Sequence, residues 1–525
     1  MTNKGKKRRS EYKQVQFETA VRNPDRYISI LRSIKNYDGC ILNDDILLEI
    51  VSNLYLLGEF SSDEINISEN TNLKDITDLV IKVNSTRNGD GGFPKGYASR
   101  FWTYMRTPSE LGMIYARYNE PLLFSEVSKM LLAGVIDEQE AFSVQEMKCN
   151  RRSPYKNVSN DFNFFKLVLN TLSYLHDKGK QLSFEQFIVL MFNQSGNINE
   201  TIELLLENKF PTEESVYNFV NEHYSNTLKP STVLRDYPDV TRRLMIISGF
   251  ITIKYKGIKF IEINEDKLDY IKELLSVEFS LTEDEKIDAK KYFLKLGTFD
   301  DKYFNIVKKY RVIDKIDGKG YTNKLVSLIK EYRITENNII EGIHKIYERN
   351  NPIHPEFDII PPPLRLEFFL SILIVLKYEK EFNIRPNYKA DHLGKPYSHA
   401  PGNNGDIDIY SNEIYWLLEV TLIRTKQQLL NNETSTLIRH LNETEEFKNY
   451  QKKYLSLVAP IIHQDTENYF RISLIDNQML DKKLSIKPYN IINFIDVTLK
   501  KNNFFDMESH SSRIFEDFKS KINLN

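Results

Sequence analysis

Residues 402–421 read Gly402-Asn-Asn-Gly-Asp-Ile-Asp-Ile-Tyr-Ser-Asn-Glu-Ile-Tyr-Trp-Leu-Leu-Glu-Val-Thr421. Asp406, Asp408 and Tyr410 alternate with Ile407 and Ile409, so a strand through them turns both carboxylates to one face. Ser411-Asn412-Glu413 carries turn chemistry. The next run, 414–423, is apolar apart from Glu419 and Thr421, which share a face with Leu417. The expected product is an antiparallel hairpin with Asp406 and Glu419 near its open end. A carboxylate inside an apolar strand is costly to bury unless it is paired or bound to a cation. The pair is therefore a candidate holder of one hard cation such as Mg²⁺. A structural reading competes: Asp406 in the turn chemistry of 402–405, and Glu419 in a buried salt bridge.

Working outward, Asn350-Asn-Pro-Ile-His-Pro355 and Pro361-Pro-Pro363 are too rich in proline for a helix interior or a central strand. They mark the main junction of the chain, ahead of a strongly apolar helix at 364–378. From about 266 to 345 the sequence is charged and helical, the pattern of a spacer. The expected organisation is a region at 1–265, a helical linker at 266–345 and a second domain at 346–525. A chain of 525 residues suits two to four compact units.

In the first region Tyr27, Ile30, Leu31 and Ile34, then Leu47, Ile50, Val51 and Leu54, recur at helical spacing. Asn23-Pro24 is a helix-start signal. Two later stretches share a design. A helix at 98–114 is followed by Tyr115-Ala-Arg-Tyr-Asn-Glu-Pro-Leu-Leu-Phe124. A helix at 239–248 closes on Gly249, and two alternating strands follow around Lys256-Gly257. Helix-then-hairpin is the order of a winged helix, whose helix reads DNA with outward residues. Those would be Arg100, Arg106, Arg235, Arg242 and Arg243, with Trp102 and Tyr104 interleaved. The plainer alternative is an ordinary α+β unit with both aromatics in its core. Gly89-Asp-Gly-Gly-Phe-Pro-Lys-Gly96 lacks the ending of a phosphate-binding loop and reads as a mobile loop, so no nucleotide cofactor is implied.

The composition sets limits. The chain is 41% hydrophobic and 27% charged, enough for a large core. Its 71 basic and 73 acidic side chains leave a net charge of −2, so any nucleic-acid surface must gather its positive charge locally. Two cysteines, Cys40 and Cys149, make neither a disulfide framework nor a zinc motif. The charged start, with Lys and Arg at 4–9, has no apolar stretch behind it, and the longest apolar run, 368–376, is too short to span a bilayer. A soluble, cytoplasmic protein is expected, with no membrane partner.

Asp406, a dozen residues, then Glu419 is the spacing of the PD-(D/E)XK nucleases, with Thr421 where those usually carry lysine. Over most of its length the sequence resembles the AlwI family of type IIS restriction endonucleases, which includes nicking enzymes and large subunits of heterodimers. The resemblance rests on Phe17-Glu-Thr-Ala-Val-Arg-Asn-Pro-Asp-Arg26, Gly92-Phe-Pro-Lys-Gly-Tyr-Ala-Ser-Arg-Phe101, Pro108-Ser-Glu-Leu-Gly-Met-Ile114 and the 139–154 segment. In the second domain it rests on His399-Ala-Pro-Gly-Asn-Asn-Gly-Asp406, Leu418-Glu-Val-Thr421 and Arg439-His440.

The resemblance implies a multidomain protein: an α+β recognition region with winged-helix-like subdomains, a helical linker and a C-terminal α/β PD-(D/E)XK domain. It implies Mg²⁺-dependent hydrolysis of double-stranded DNA outside a short asymmetric site, cutting or nicking one strand per active site. Asp406 and Glu419 would be metal ligands, with Glu367 a third carboxylate. His440 would stand near the site to relay a proton or orient the hydroxide. Glu-Val-Thr commonly replaces Glu-x-Lys in this family, so Thr421 counts among the catalytic positions and the usual lysine's role is unassigned. Lys426 and Gln427 are weaker candidates for phosphate contact, and Asp408 falls outside the ligand set. Gly405 stands where the family has proline. A homodimer on DNA or a small nuclease subunit would supply the second cut. The rivals are a DNA-binding regulator with an inactive nuclease fold and a repair or mismatch nuclease.

Overall fold

The helix Glu138–Lys148 begins where Asp137 caps it: the Asp137 carboxylate accepts from the Glu140 amide at 3.0 Å, and Glu140 accepts from the Asp137 amide at 2.9 Å. The structure, a computed structural model, describes residues 13–62, 65, 71–85, 98–156, 158–224, 226, 228–313, 318–348, 355–400, 405–424, 426, 429–430, 437, 450–480, 484–499 and 505–522. The chain divides into two units, Met1–Asp314 and Lys315–Asn525. Both mix helices with small sheets.

Helix Glu138–Lys148 is the hub of the first unit and is buried from Gln139 to Lys148. Its polar side chains must therefore bond inside the protein. Gln145 Nε2 donates to the carbonyls of Leu111 (2.5 Å) and Leu296 (3.0 Å). Lys148 Nζ donates to those of Leu296 (2.6 Å) and Thr298 (3.0 Å). Glu146 accepts from the Ser248 hydroxyl at 2.5 Å. Burial pushes the Lys148 amine down to about 7 and the Glu146 carboxyl well above its ordinary range.

Around this hub the expected helix-to-hairpin order is present twice. The first helix, Ser99–Glu110, stops four residues short of the expected end, because Leu111 and Gly112 (φ +67°) turn the chain. Strands β1 (Ile114–Tyr115) and β2 (Leu123–Phe124) then pair antiparallel. Tyr104 is buried and Trp102 packs against the core. Farther on, β3 (Leu182–Ser183) joins β4 (Ile251–Tyr255) and β5 (Lys259–Ile263) in the order β3-β5-β4. Helix Tyr237–Ile247 runs into β4 through Gly249, at φ +71°. Ile251, Ile253, Ile261 and Ile263 are buried, the period-2 pattern of a hairpin with one face on the core.

The boundary between units falls inside the stretch expected as a spacer. Helices Leu268–Ser276 and Asp301–Ile313 send Tyr270, Ile271, Leu274, Tyr303, Val307 and Tyr310 into the first core. Helices Gly318–Glu331 and Glu336–Tyr347 belong to the second unit. There Thr322 exchanges 3.0 Å hydrogen bonds with the Ile384 backbone, and Gly342 lets Phe369 come close. The prolines at 361–363 mark a helix start: Pro362 opens Pro362–Tyr378, a first-turn position that needs no amide proton.

That helix is apolar all round and buried nearly throughout. It packs on β6 (Asn383–Pro386) and on β8 (Pro396–Ser398), which pairs with β7 (Lys389–Ala390). The main sheet adds β9 (Ile407–Tyr410), β10 (Ile414–Val420), β11 (Lys452–Ala459) and β12 (Leu484–Asn490), in the order β12-β11-β10-β9-β6. β10, β11 and β12 are parallel, and β9 is antiparallel to both of its neighbours. Tyr415, Leu417, Leu455, Leu457, Leu484 and Ile486 fill one face with Phe470 and Leu474 of helix Gln464–Leu480. On the other face Trp416 packs near Phe494 and donates Nε1–H to Ser456 Oγ at 3.0 Å. Among the described residues no helix is long and apolar enough to cross a membrane.

Two glycines separate backbone strain from crowding. A Cβ at Gly112 would lie 2.4 Å from Leu296 Cβ, whereas one at Gly257 (φ +81°) meets nothing within 4 Å. Both substitutions force a left-handed alanine, but only Gly112→Ala also overpacks the core. Urea unfolding is expected to show a loss of roughly 2–5 kcal/mol for Gly112→Ala and about 1 kcal/mol for Gly257→Ala.

Candidate active site

The turn between β9 and β10 fixes which carboxylates meet. Ser411 N–H donates to the Ile414 carbonyl at 2.9 Å, and Ser411 Oγ accepts from the Ile414 amide at 3.2 Å. The resulting register pairs Tyr415 with Tyr410, Leu417 with Asp408 and Leu418 with Ile407. One further step sets Asp406 opposite Glu419, on one face. Asp406 Oδ2 accepts from the Val420 amide at 2.7 Å, which turns its carboxylate onto the end of β10. A Cβ at Gly405 would sit 2.2 Å from Leu417 Cδ1 and 3.2 Å from Glu419 Oε1. Glycine thus lets the chain settle over the Glu419 carboxylate. The family's proline would press on Leu417.

Asp408 shares the face but not the role. Its Oδ2 accepts from Arg385 Nη2 (2.6 Å), Arg385 Nε (3.1 Å) and Asn387 Nδ2 (3.0 Å), and its Oδ1 accepts from the Tyr415 hydroxyl at 2.5 Å. A carboxylate so fully bonded has little left for a cation. Asn387 does more: its amide donates to the Asp406 carbonyl at 2.8 Å and its Nδ2 to the Gly405 carbonyl at 2.7 Å. It therefore fixes the backbone on both sides of the Gly405–Asp406 peptide. Neither Arg385 nor Asn387 was singled out from sequence, since each acts from a strand or turn about 20 residues upstream of Asp408.

Glu367 lies buried on helix Pro362–Tyr378, and its Oε1 is 3.1 Å from His399 Nδ1. Its Oε2 is buried and has no hydrogen-bond partner among the described residues. Thr421 continues the sheet, its amide donating to the Val458 carbonyl at 2.9 Å, while its hydroxyl accepts from the Ile423 amide at 3.2 Å. Lys426 pairs with Asp465 at 2.5 Å. His440 and Gln427, like the 89–96 loop, lie outside the described residues.

The donor set is all hard oxygen, suited to Mg²⁺-like ions rather than to zinc. Asp406 and Glu419 stand opposite each other one register step beyond the Leu418–Ile407 pair. These features fit a hard divalent cation. Among the described residues, no three His, Cys, Asp or Glu side chains are gathered into a metal-holding group. The facing pair is therefore the part of the expected triad that the structure brings together.

The five candidate DNA-contacting arginines all lie in the first unit. Arg100 donates to the Ser61 carbonyl at 2.6 Å and covers Phe60 with its guanidinium 4.9 Å from the ring centre. Arg106 donates to the Tyr155 carbonyl (3.3 Å) and lies 3.5 Å from Glu110. Arg242 and Arg243, with side chains only 12% and 15% exposed, both hold Asp239, at 2.6 and 3.0 Å. Burial works to raise the Asp239 carboxyl, but Arg243 and Arg242 keep it below its usual value. Arg235 is the most open, 71% exposed and 3.3 Å from Glu213.

Asp408 supplies a test of this division of labour. Asp408→Ala leaves the Arg385 guanidinium without its carboxylate and opens a polar gap in the sheet. The expected loss is about 3–5 kcal/mol of stability in the second unit, read by thermal or urea unfolding. A variant as stable as the parent would remove Asp408 from this framework role.

The model of the AlwI restriction endonuclease family matches residues 109–296 and 307–497, well over half of the chain. No curated protein matches it. Among solved structures, the chain is similar to the small subunit (R.BspD6I2) of the heterodimeric restriction endonuclease R.BspD6I. The two are 19% identical, with 34% of this chain and 87% of that chain covered and a TM-score of 0.26. It is also similar to the BpuJ1 endonuclease binding domain, solved with pyrene- and phenanthrene-modified DNA. Here the identity is 13%, with 52% of this chain and 91% of that chain covered and a TM-score of 0.32. The family match spans the carboxylate hairpin and most of the first unit alike, and on it the chain belongs to the AlwI restriction endonuclease family and is a type II restriction enzyme.

Proposed function

We propose that this restriction enzyme is a type IIS-like, Mg²⁺-dependent endonuclease that cleaves outside a short asymmetric site, one strand per catalytic centre. The observation that carries this reading is that Asp406, just before β9, bonds the Val420 amide at the end of β10 one register step beyond Leu418–Ile407, beside Glu419, in a unit separate from the helix-and-hairpin elements. Asp406 and Glu419 hold the cation, with Glu367 as a further carboxylate and waters and phosphate oxygens in the remaining positions. When bound, the cation neutralises charge at the scissile phosphate and makes a bound water more acidic. Val420 and Asn387 keep Asp406 in place, and Arg385 neutralises Asp408 so that it does not compete. Thr421 sits at the end of the same strand. By the family resemblance, His440 is the proposed proton carrier.

Recognition belongs to the first unit. Helix Phe164–Asp177, β3, helix Phe184–Leu190, helix Tyr237–Ile247 and the β4–β5 hairpin follow one another with sheet order β3-β5-β4. This is the connectivity of a winged helix with an insertion before its third helix, and it supports DNA reading by Tyr237–Ile247 and its neighbours. Because one chain carries one such carboxylate pair among its described residues, cutting both strands calls for a second copy on DNA or a small nuclease subunit.

Two experiments test the proposal. On supercoiled plasmid with Mg²⁺, the parent at low concentration is expected to accumulate open circles, while Asp406→Ala and Glu419→Ala give only background cutting yet still retard site-containing DNA. Near-parental cutting by either variant would remove the metal assignment. Separately, residues 1–314 expressed alone are expected to prefer the cognate site, with affinity falling steeply as salt rises. A folded fragment without sequence preference would move readout into the second unit.

A further inference from the structure

The β4–β5 hairpin is locked to the helix it follows. The Gly249 amide donates to the Ile246 carbonyl at 2.8 Å, and the Phe250 amide to that of Met245 at 3.1 Å. Buried Asn264 closes the base, its amide donating to the Phe250 carbonyl at 2.9 Å and its Nδ2 to the Gly249 carbonyl at 3.0 Å. The strands pair in register from Ile251–Ile263 to Tyr255–Lys259, and the Lys256 amide closes the turn on the Ile258 carbonyl at 3.0 Å. Five paired residues at about 3.3 Å each carry that turn roughly 16 Å from the helix end.

The charge of this arm is one-sided. Between Thr252 and Ile261 stand Lys254, Lys256 and Lys259, and no acid. Among the described residues Lys254 and Lys256 form no ion pair. Glu262, nearer the base, accepts from Gln181 Nε2. The arginines next to the hairpin differ: Arg242 and Arg243 share Asp239, and Arg235 stands 3.3 Å from Glu213. Tyr255 and Ile258 are 43% and 46% exposed, so the tip presents apolar surface among its lysines. Lysine is a compact point charge on a flexible stem and suits phosphate, whereas the planar fork of arginine suits a base edge.

We propose that the hairpin tip, Lys254 to Lys259, grips the phosphate backbone of duplex DNA and supplies the sequence-independent part of binding, while helix Tyr237–Ile247 supplies the choice of site. This rests on the recognition reading given above and names where its positive charge comes from. Each lysine that neutralises one phosphate releases counterions and adds about 0.9 to the slope of log affinity against log salt. Three lysines add about 2.7, which is about 40-fold in affinity between about 50 and 200 mM salt. A merely solvated turn would add nothing to that slope.

The test uses the full chain, with EDTA to hold off cutting, and titrates salt on a cognate and a scrambled duplex. Lys254→Ala, Lys256→Ala and Lys259→Ala combined are expected to flatten the slope by about 2–3 on both duplexes and to keep the parental cognate-to-scrambled ratio. Arginine at the same three positions is expected to keep the parental slope. A parental slope in the alanine variant overturns the proposal. So does a lost cognate preference, because the hairpin would then be reading bases. Should the triple variant fail to fold, Lys256→Ala alone, at the exposed turn, is expected to flatten the slope by about 0.9, and no change overturns the proposal. Failure of the recognition reading shows itself separately. With a benzophenone-bearing phenylalanine in place of Tyr255 or of Arg235, irradiation of the cognate complex is expected to attach DNA at both positions. Attachment at 235 alone overturns the hairpin grip, and attachment at neither removes the recognition reading itself.

Discussion

Burying negative charge in an apolar sheet is the constraint on which the second unit turns. β10 is hydrogen-bonded on both sides, antiparallel to β9 and parallel to β11, and side chains on both of its faces are buried. Three acids, Asp406, Asp408 and Glu419, nevertheless share one face of the hairpin. Each must find compensation, and they find it differently. Asp408 takes a guanidinium, a phenol and an amide, and becomes part of the framework. Asp406 takes a backbone amide from the partner strand, which fixes its direction. Glu419 stands across from it, beneath a glycine that keeps the loop close. The sheet therefore sets Asp408, held on every side, apart from Asp406 and Glu419.

Much of the hairpin was legible in the sequence because it is local. Alternation from Asp406 to Tyr410, a polar three-residue turn and an apolar run determine strand, face and register within some twenty residues. The partners of Asp408 were not legible, since Arg385 and Asn387 arrive from another strand and the turn after it. The His399–Glu367 contact was hidden for the same reason: its members stand 32 residues apart, on a helix and a strand end.

The division of the chain shows where composition misleads. The 266–345 stretch looks solvated because charged residues crowd it, yet Tyr270, Ile271 and Leu274, then Tyr303, Val307 and Tyr310, make narrow apolar stripes that the first core covers. A stripe of that width is enough to dock a helix whatever its other faces carry. Prolines 361–363 gave a real signal, a helix start, at a place where a domain edge was expected. In the first unit the buried hub Glu138–Lys148 is no less instructive: its polar residues look like a surface pattern until the carbonyls of Leu111, Leu296 and Thr298 supply their partners.

If helix Tyr237–Ile247 reads DNA as proposed, the grip of Asp239 on Arg242 and Arg243 has a consequence for how the enzyme meets a genome. Two guanidiniums and one carboxylate carry a single net charge between them, and the arginines are already ordered before any ligand arrives. Free cations on a reading helix would raise attraction to every stretch of duplex alike, because phosphate is the same everywhere. Neutralised in part and held in fixed forks, these side chains offer little to anonymous backbone. They sacrifice less side-chain freedom when a matching partner is met. On the proposed reading by this helix, time spent on the wrong sequence would be shortened, and attraction to backbone phosphate would fall to more exposed cations such as Arg235.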